Sequence, residues 1–169
     1  MREDSELEKA VGEVFIALRE PIYRYVLSSV RNPGDAEDIA QEAFVRLFRE
    51  LRKGQRIVNV KAWMFRVAHN LVIDFSRRAP APESLDAPNV QWLAEGVSDP
   101  GPSAEQISVD QASRRQVLAC LTDRERRCME LRAEGLRYRE IGEVLGVKIP
   151  TVQTTLERAI RKISERSRG

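Results

Sequence analysis

A chain of 169 residues, 42% hydrophobic and 32% charged, has room for one ordinary domain or two small ones and is too polar to be a membrane span. Its single histidine, with only Cys120 and Cys128 as cysteines, excludes a histidine-rich metal centre, a zinc pattern and a disulfide framework. The formal charge of +2 becomes informative once divided along the chain. Residues 1–78 hold fourteen basic and twelve acidic side chains, residues 79–102 no base and four acids, and residues 103–169 fourteen bases and ten acids. Basic ends around an acidic middle suggest two polyanion-facing modules and a tether that avoids the polyanion.

The N-terminus, "MREDSELEKAV", is charged and lacks the apolar core of a signal peptide, which leads us to expect a cytoplasmic protein without membrane insertion. A helix is expected from about Glu6 to Arg19, followed across Pro21 by a second, "IYRYVLSSVR". "NPGD" reads as a turn with Asp35 as N-cap, and Glu37 and Asp38 favour the first helical turn after it. "AEDIAQEAFVRLFRELRK" then sets Ala40, Ala43 or Phe44, Leu47, Phe48 and Leu51 on one face. Asp38, Gln41 and Glu42 lie on the acidic other face, which is either merely solvated or a landing site for a basic protein surface. Lys53 to Arg56 ends this helix.

"KAWMFRVAHNLVIDFSRR" carries a stripe of Met64, Val67, Ala68, Leu71, Val72 and Phe75, the expected core face. Trp63, Arg66, Asn70, Asp74 and Arg77 fall on the other side, and Arg78 follows. An aromatic among bases and amides suits stacking on unpaired nucleotides. Taken alone, Trp63 reads first as a core residue. Residues 79–102 carry five of the eight prolines, so no long helix is expected there. Fully extended, these positions reach at most ~80 Å, more than two DNA turns of ~34 Å.

"SAEQISVDQASRRQVLACL" reads as a helix with Ile107, Ala112, Val117 and Leu118 inward. "TDRERRCMELRAEG" begins at Thr122, with Glu125 at the capping-box position, and stops at Gly135. Tyr138–Leu145 forms a short helix with Ile141, Val144 and Leu145 inward and the small Gly142 permitting close contact. Gly146 suits a left-handed cap, Val147 plugs the core and Pro150 sits in the first turn of the next helix. There Val152, Leu156, Ala159, Ile160 and Ile163 face inward. Thr151, Gln153, Thr154, Glu157, Arg158, Arg161 and Lys162 face outward, with Thr155 at the edge. This is the pattern of a helix-turn-helix, whose second helix reads the major groove; the bland alternative is a plain helical bundle with a solvated polar face. No phosphate-cradling glycine loop, Ser-His-Asp set or metal cluster occurs, so neither catalytic residues nor a cofactor are expected.

In order, "DAEDIAQEAFVRLFR", "AWMFRVAHNLVIDFSRR" and "LTDRERRCMELRAEGLRYREIGEVLGVKIPTVQTTLERAIRKI" resemble the polymerase-binding helix, the −10 helix and the −35-binding domain of bacterial RNA polymerase sigma factors of the extracytoplasmic-function (ECF) group of the sigma-70 family. The resemblance covers about Val14–Arg78 and Ala104–Ile163. It implies an all-α fold: a region 2-like domain (1–78), an acidic proline-rich linker (79–102) and a region 4-like helix-turn-helix domain (103–169). It further implies that Asp38, Gln41, Glu42 and Phe44 bind the clamp of the largest core RNA polymerase subunit. Lys53, Gln55, Arg56, Trp63, Arg66, Asn70, Arg77 and Arg78 would bind the −10 element. Thr151, Gln153, Thr154, Thr155, Arg158, Arg161 and Lys162 would bind the −35 element. The implied partners are core polymerase, including its flap, promoter DNA and an anti-sigma protein. The rival function is a stand-alone helix-turn-helix regulator of duplex DNA. Pro150, Gln153, Thr154 and Thr155 depart from the family's usual Gly, Lys or Arg, Ser and Arg. Fewer charges on the reading helix imply a weaker phosphate grip and a shifted −35 preference.

Overall fold

The structure, a computed structural model, describes residues 2–78 and 118–168. Among the described residues there are six helices and no strand. The proline-rich segment 79–102 and most of the helix expected over 103–121 lie outside them.

The first helix, α1 (Arg2–Val30), runs unbroken through Pro21, where a break was expected. A helical proline costs ~3 kcal/mol. Against that, Leu18, Ile22, Tyr25 and Val26 form one buried stripe crossing the proline, and each buried side chain returns ~1.5–3 kcal/mol. Tertiary packing therefore wins. Arg31, with φ 59°, ends the helix and turns the chain.

The next helix, α2 (Pro33–Arg52), is capped by Asn32 rather than Asp35: the Asn32 side chain accepts from the Asp35 N–H at 3.0 Å. Pro33 at the first helical position loses nothing by lacking an N–H, which lets the cap lie before it. Ala36, Ile39, Ala40, Ala43, Phe44 and Leu47 are buried, and the alanines let α2 lie close along α1. In α3 (Val60–Arg78), Met64, Ala68 and Val72 are buried as expected, whereas Val67, Leu71 and Phe75 are only partly covered. The buried stripe is rotated to include Phe65 and His69, because Tyr25 of α1 meets both. Its ring stands edge-on to Phe65 at 5.4 Å, and its hydroxyl is 2.9 Å from His69 Nδ1.

The second unit begins at Thr122, which makes the expected capping box with Glu125 and starts α4 (Asp123–Ala133). Gly135, at φ 87°, ends it. Then come α5 (Tyr138–Leu145) and α6 (Ile149–Ser167), with Gly146 at φ 66° between them and Pro150 in the first turn of α6. Gly142 is required by sterics: a Cβ there would meet the Val147 carbonyl oxygen at 2.7 Å. Cys128, Leu131, Leu136, Ile141, Val144, Val152, Leu156 and Ala159 build the core, while Cys120 is half-buried. Ile160, expected inside, is 54% exposed. The core of this short bundle closes on Ala159, which leaves the neighbouring position outside. The two units pack on each other, α5 lying against α3, and the buried apolar cluster runs continuously from one to the other.

Candidate nucleic-acid interface

Three surfaces collect the residues singled out in the sequence. On α2, Asp38 and Gln41 are exposed, Glu42 pairs with Arg46 at 3.0 Å, and Phe44 is buried beneath them. Phe44 meets Phe15 of α1 edge-on at 4.9 Å, and the Arg19 guanidinium lies over Phe15. A shallow cavity of about 340 Å³ opens between Phe15, Tyr23, Gln41 and Phe44. Beside it Ile16 is 83% exposed. Sequence reasoning missed Phe15 and Ile16; the signal was two large apolar residues standing off the stripe formed by Leu18, Ile22 and Val26.

The second surface is the 53–59 loop with α3. Lys53 is tied to Glu50 at 2.7 Å, Gln55 and Arg56 are exposed, and Val58 is 96% exposed. Trp63 is half-buried, which reconciles its two sequence readings: one part packs on the core and the other lines a cleft. Arg66, Asn70, Arg77 and Arg78 are exposed along α3. The cleft, about 530 Å³, is walled by Arg56, Trp63 and Arg66 on one side and by Arg137, Glu140 and Glu143 on the other. Asn59 was missed as a site residue. Its Oδ1 accepts from the Ala62 N–H at 3.0 Å and so caps α3, while its Nδ2 donates to Glu140 at 2.6 Å.

The third surface is the outer side of α6. Gln153, Thr154, Arg158 and Arg161 are exposed and Thr151 is half-buried. Gln153 donates to Glu157 at 3.1 Å, and the Thr154 hydroxyl donates to the Pro150 carbonyl at 2.9 Å. Two expected members of this face lie elsewhere. Thr155 is 8% exposed and its hydroxyl donates to the Thr151 carbonyl at 2.7 Å, so it belongs to the seam with the core. Lys162 turns inward to Glu125 at 2.7 Å. Burial pushes the Glu125 carboxyl up, but the Lys162 ammonium and the Thr122 N–H and hydroxyl together hold it below the ordinary range. The physical reason is the capping box: it fixes a carboxylate 5% exposed beside α6, and a buried charge recruits a counter-ion.

His69 carries none of the chemistry that a lone exposed histidine suggests. Burial, and then the nearby Arg127, lower it to about 4, so the ring is neutral and its Nδ1 accepts from the Tyr25 hydroxyl. Among the described residues no group of histidine, cysteine and acid side chains could hold a metal. No helix among them is long and apolar enough to cross a membrane.

Known proteins resemble both units. Residues 14–80 match Sigma-70 region 2 and residues 115–163 match Sigma-70, region 4. The chain is 32% identical over 148 residues to the ECF RNA polymerase sigma factor SigE of Mycolicibacterium smegmatis, covering 85% of this chain but 56% of the relative. It is 29% identical over 168 residues to the ECF RNA polymerase sigma factor SigW of Bacillus subtilis, covering 92% and 89%. Among solved structures, the sigma factor RpoE in complex with the anti-sigma factor NepR from Bartonella quintana shares the fold at TM-score 0.66 and 21% identity, covering 95% and 98%. CnrH in complex with the cytosolic domain of CnrY does so at TM-score 0.62 and 20% identity, covering 97% and 91%.

Proposed function

Because this chain belongs to the sigma-70 family, we propose that it is an ECF-type promoter-specificity subunit, which brings core RNA polymerase to −35 and −10 elements and helps open the latter. The observation that carries the reading is the presence, in family order, of a region 2 unit with a half-buried Trp among exposed Arg side chains and a region 4 unit whose α6 shows an exposed polar face. Asp38, Gln41 and Glu42, backed by Phe44, would meet the basic clamp of the polymerase. An acidic surface repels DNA and attracts a cationic protein, which favours that assignment.

The 53–59 loop and α3 would hold an unpaired strand. Trp63 stacks a base, and Arg56, Arg66, Arg77 and Arg78 take phosphates, with Asn70 hydrogen-bonding a base edge. Strand opening then trades lost base stacking for protein–base contacts and needs no nucleotide hydrolysis. On α6, Gln153 and Arg158 would read the major groove while Thr151, Thr154 and Arg161 hold the backbone. Thr155 and Lys162 would act as scaffold, because their polar groups are already used inside the unit. RNA synthesis would belong to the polymerase. An anti-sigma protein would find an apolar landing at Phe15 and Ile16 beside the acidic face, since exposed apolar patches mark interaction sites.

The test is run-off transcription on a pool of genomic fragments with core polymerase. The reading expects discrete start sites that depend on the added chain. Tight binding to a duplex operator without polymerase, and no transcripts with it, would instead support the stand-alone regulator.

A further inference from the structure

Glu157 stands on the outer face of α6 among the residues set against the −35 element, yet it has no role in holding DNA. It is exposed one turn beyond Gln153, whose Nε2 donates to its carboxylate at 3.1 Å. An acid is out of place there, because each negative charge on a DNA-facing helix weakens the attraction to phosphates. Among the described residues Glu157 forms no ion pair, so it does not serve to neutralise the exposed Arg158 or Arg161. Val152, Leu156 and Ala159 are buried, which fixes the rotation of α6 and keeps positions 153 and 157 as neighbours on its outside.

The chemistry of the pair restricts what Gln153 can recognise. A glutamine amide has two N–H donors and one carbonyl acceptor, whereas a carboxylate only accepts. The amide nitrogen must therefore face Glu157, since turning the amide over would set its carbonyl against the carboxylate. With one N–H given to Glu157, Gln153 keeps one N–H and its carbonyl for a partner. Adenine presents the complement in the major groove, N7 as acceptor and the N6 amino group as donor. Guanine presents two acceptors, N7 and O6, and would place O6 against the glutamine carbonyl. A lysine or arginine at this position would offer donors alone and favour guanine.

We propose that Glu157 is a positioning residue that fixes the Gln153 amide, so that the pair selects an adenine within the −35 element and rejects guanine there. The proposal rests on reading α6 as the −35 helix. Glu157 touches no base and acts through Gln153. The charge that loosens the phosphate grip thereby sharpens the choice of base.

The test uses the full chain with core polymerase. The probe is a promoter recovered by run-off, with each −35 base pair replaced in turn by the other three. DNA retained by the polymerase–chain complex is sequenced, which gives the ratio of adenine to guanine at every position. The unsubstituted chain should prefer adenine by about tenfold at one position. Gln153→Ala should bring that ratio close to one and leave the other positions alone, and Gln153→Arg should move the preference to guanine. Glu157→Ala should raise retention of all sequences through the lost charge, yet cut the ratio severalfold. Glu157→Gln removes the same charge but leaves an acceptor beside the amide, and should keep more of the ratio than Glu157→Ala. A purely structural role would change retention at all positions alike and leave the ratio intact. A preference for guanine in the unsubstituted chain, or an adenine ratio that survives Gln153→Ala or Glu157→Ala, overturns the proposal. If no −35 position affects retention of the unsubstituted complex, the reading of α6 as the −35 helix fails, and the proposal with it.

Discussion

At the level of single residues, two positions carry structural weight that their exposure in a sequence diagram hides. Gly142 stands where any Cβ would press on the Val147 carbonyl, and backbone cannot yield as a flexible side chain can. Gly142→Ala is expected to destabilise the second unit by ~1–3 kcal/mol, read as a lower Tm and weakened duplex binding. Lys162 balances a carboxylate that the capping box holds inside. Lys162→Ala should cost ~1–3 kcal/mol, less than a fully buried pair because the lysine is partly solvated. Since the Glu125 carboxyl is held below its ordinary value, its contribution is present above that value and fades as the pH falls through the lowered one. A melting series carried from neutral pH to well below 4.5 should therefore show a steeper loss for the unsubstituted chain than for Lys162→Ala; parallel curves would deny the pair its role.

Among the elements, α4, α5 and α6 were the most legible in the sequence, since their boundaries rest on local chemistry: Thr122 and Glu125 in a box, Gly146 with a left-handed cap, Pro150 in a first turn. Where local chemistry competes with packing the sequence misleads. Pro21 signals a break, yet the buried stripe on either side carries α1 through it. Asp35 is a good cap, but Asn32 caps ahead of Pro33. The outward set on α6 was read from angular position alone, which cannot show that Glu125, 37 residues upstream, draws Lys162 inward. On α2 the acidic face is open to solvent and its assignment is directly testable. Asp38→Lys with Glu42→Lys should abolish capture of core polymerase while leaving the unfolding free energy within about 0.5 kcal/mol of the original, as surface substitutions do. Retained capture would move the docking face elsewhere, the Phe15–Ile16 patch being next in line.

For the whole molecule, the union of the two units lay beyond sequence reasoning, because it depends on pairs such as His69 with Arg127 and Ser28 with Glu130, 58 and 102 residues apart. That seam titrates. Burial raises the Glu130 carboxyl from 4.5 to about 7 against the pull of Arg126, Ser28 and Arg127, with Asp123 adding to the rise. An acid so raised supports the packing of the two units at low pH and ceases to as pH climbs through about 7. His69, the other titrating group at the seam beside Tyr25, is lowered from 6.5 to about 4, so its support drains only as pH falls below 6.5. From pH 6.5 up to about 7 the glutamate loses its proton while His69 stays neutral, and the packing of the two units should loosen across that window. Small-angle scattering should show a larger radius at the alkaline end, and Glu130→Gln should flatten the trend. An unchanged slope in that variant would assign the effect to another group.

Promoter opening remains the claim on which the rest depends. The most direct measurement is permanganate reactivity of thymines on a promoter recovered by run-off, with core polymerase and chain added separately and together. The account expects unpaired thymines near −10 only when both are present, and their loss with Trp63→Ala and Arg66→Ala although polymerase is still bound. Reactive thymines with core alone, or undiminished reactivity in the double variant, would contradict it.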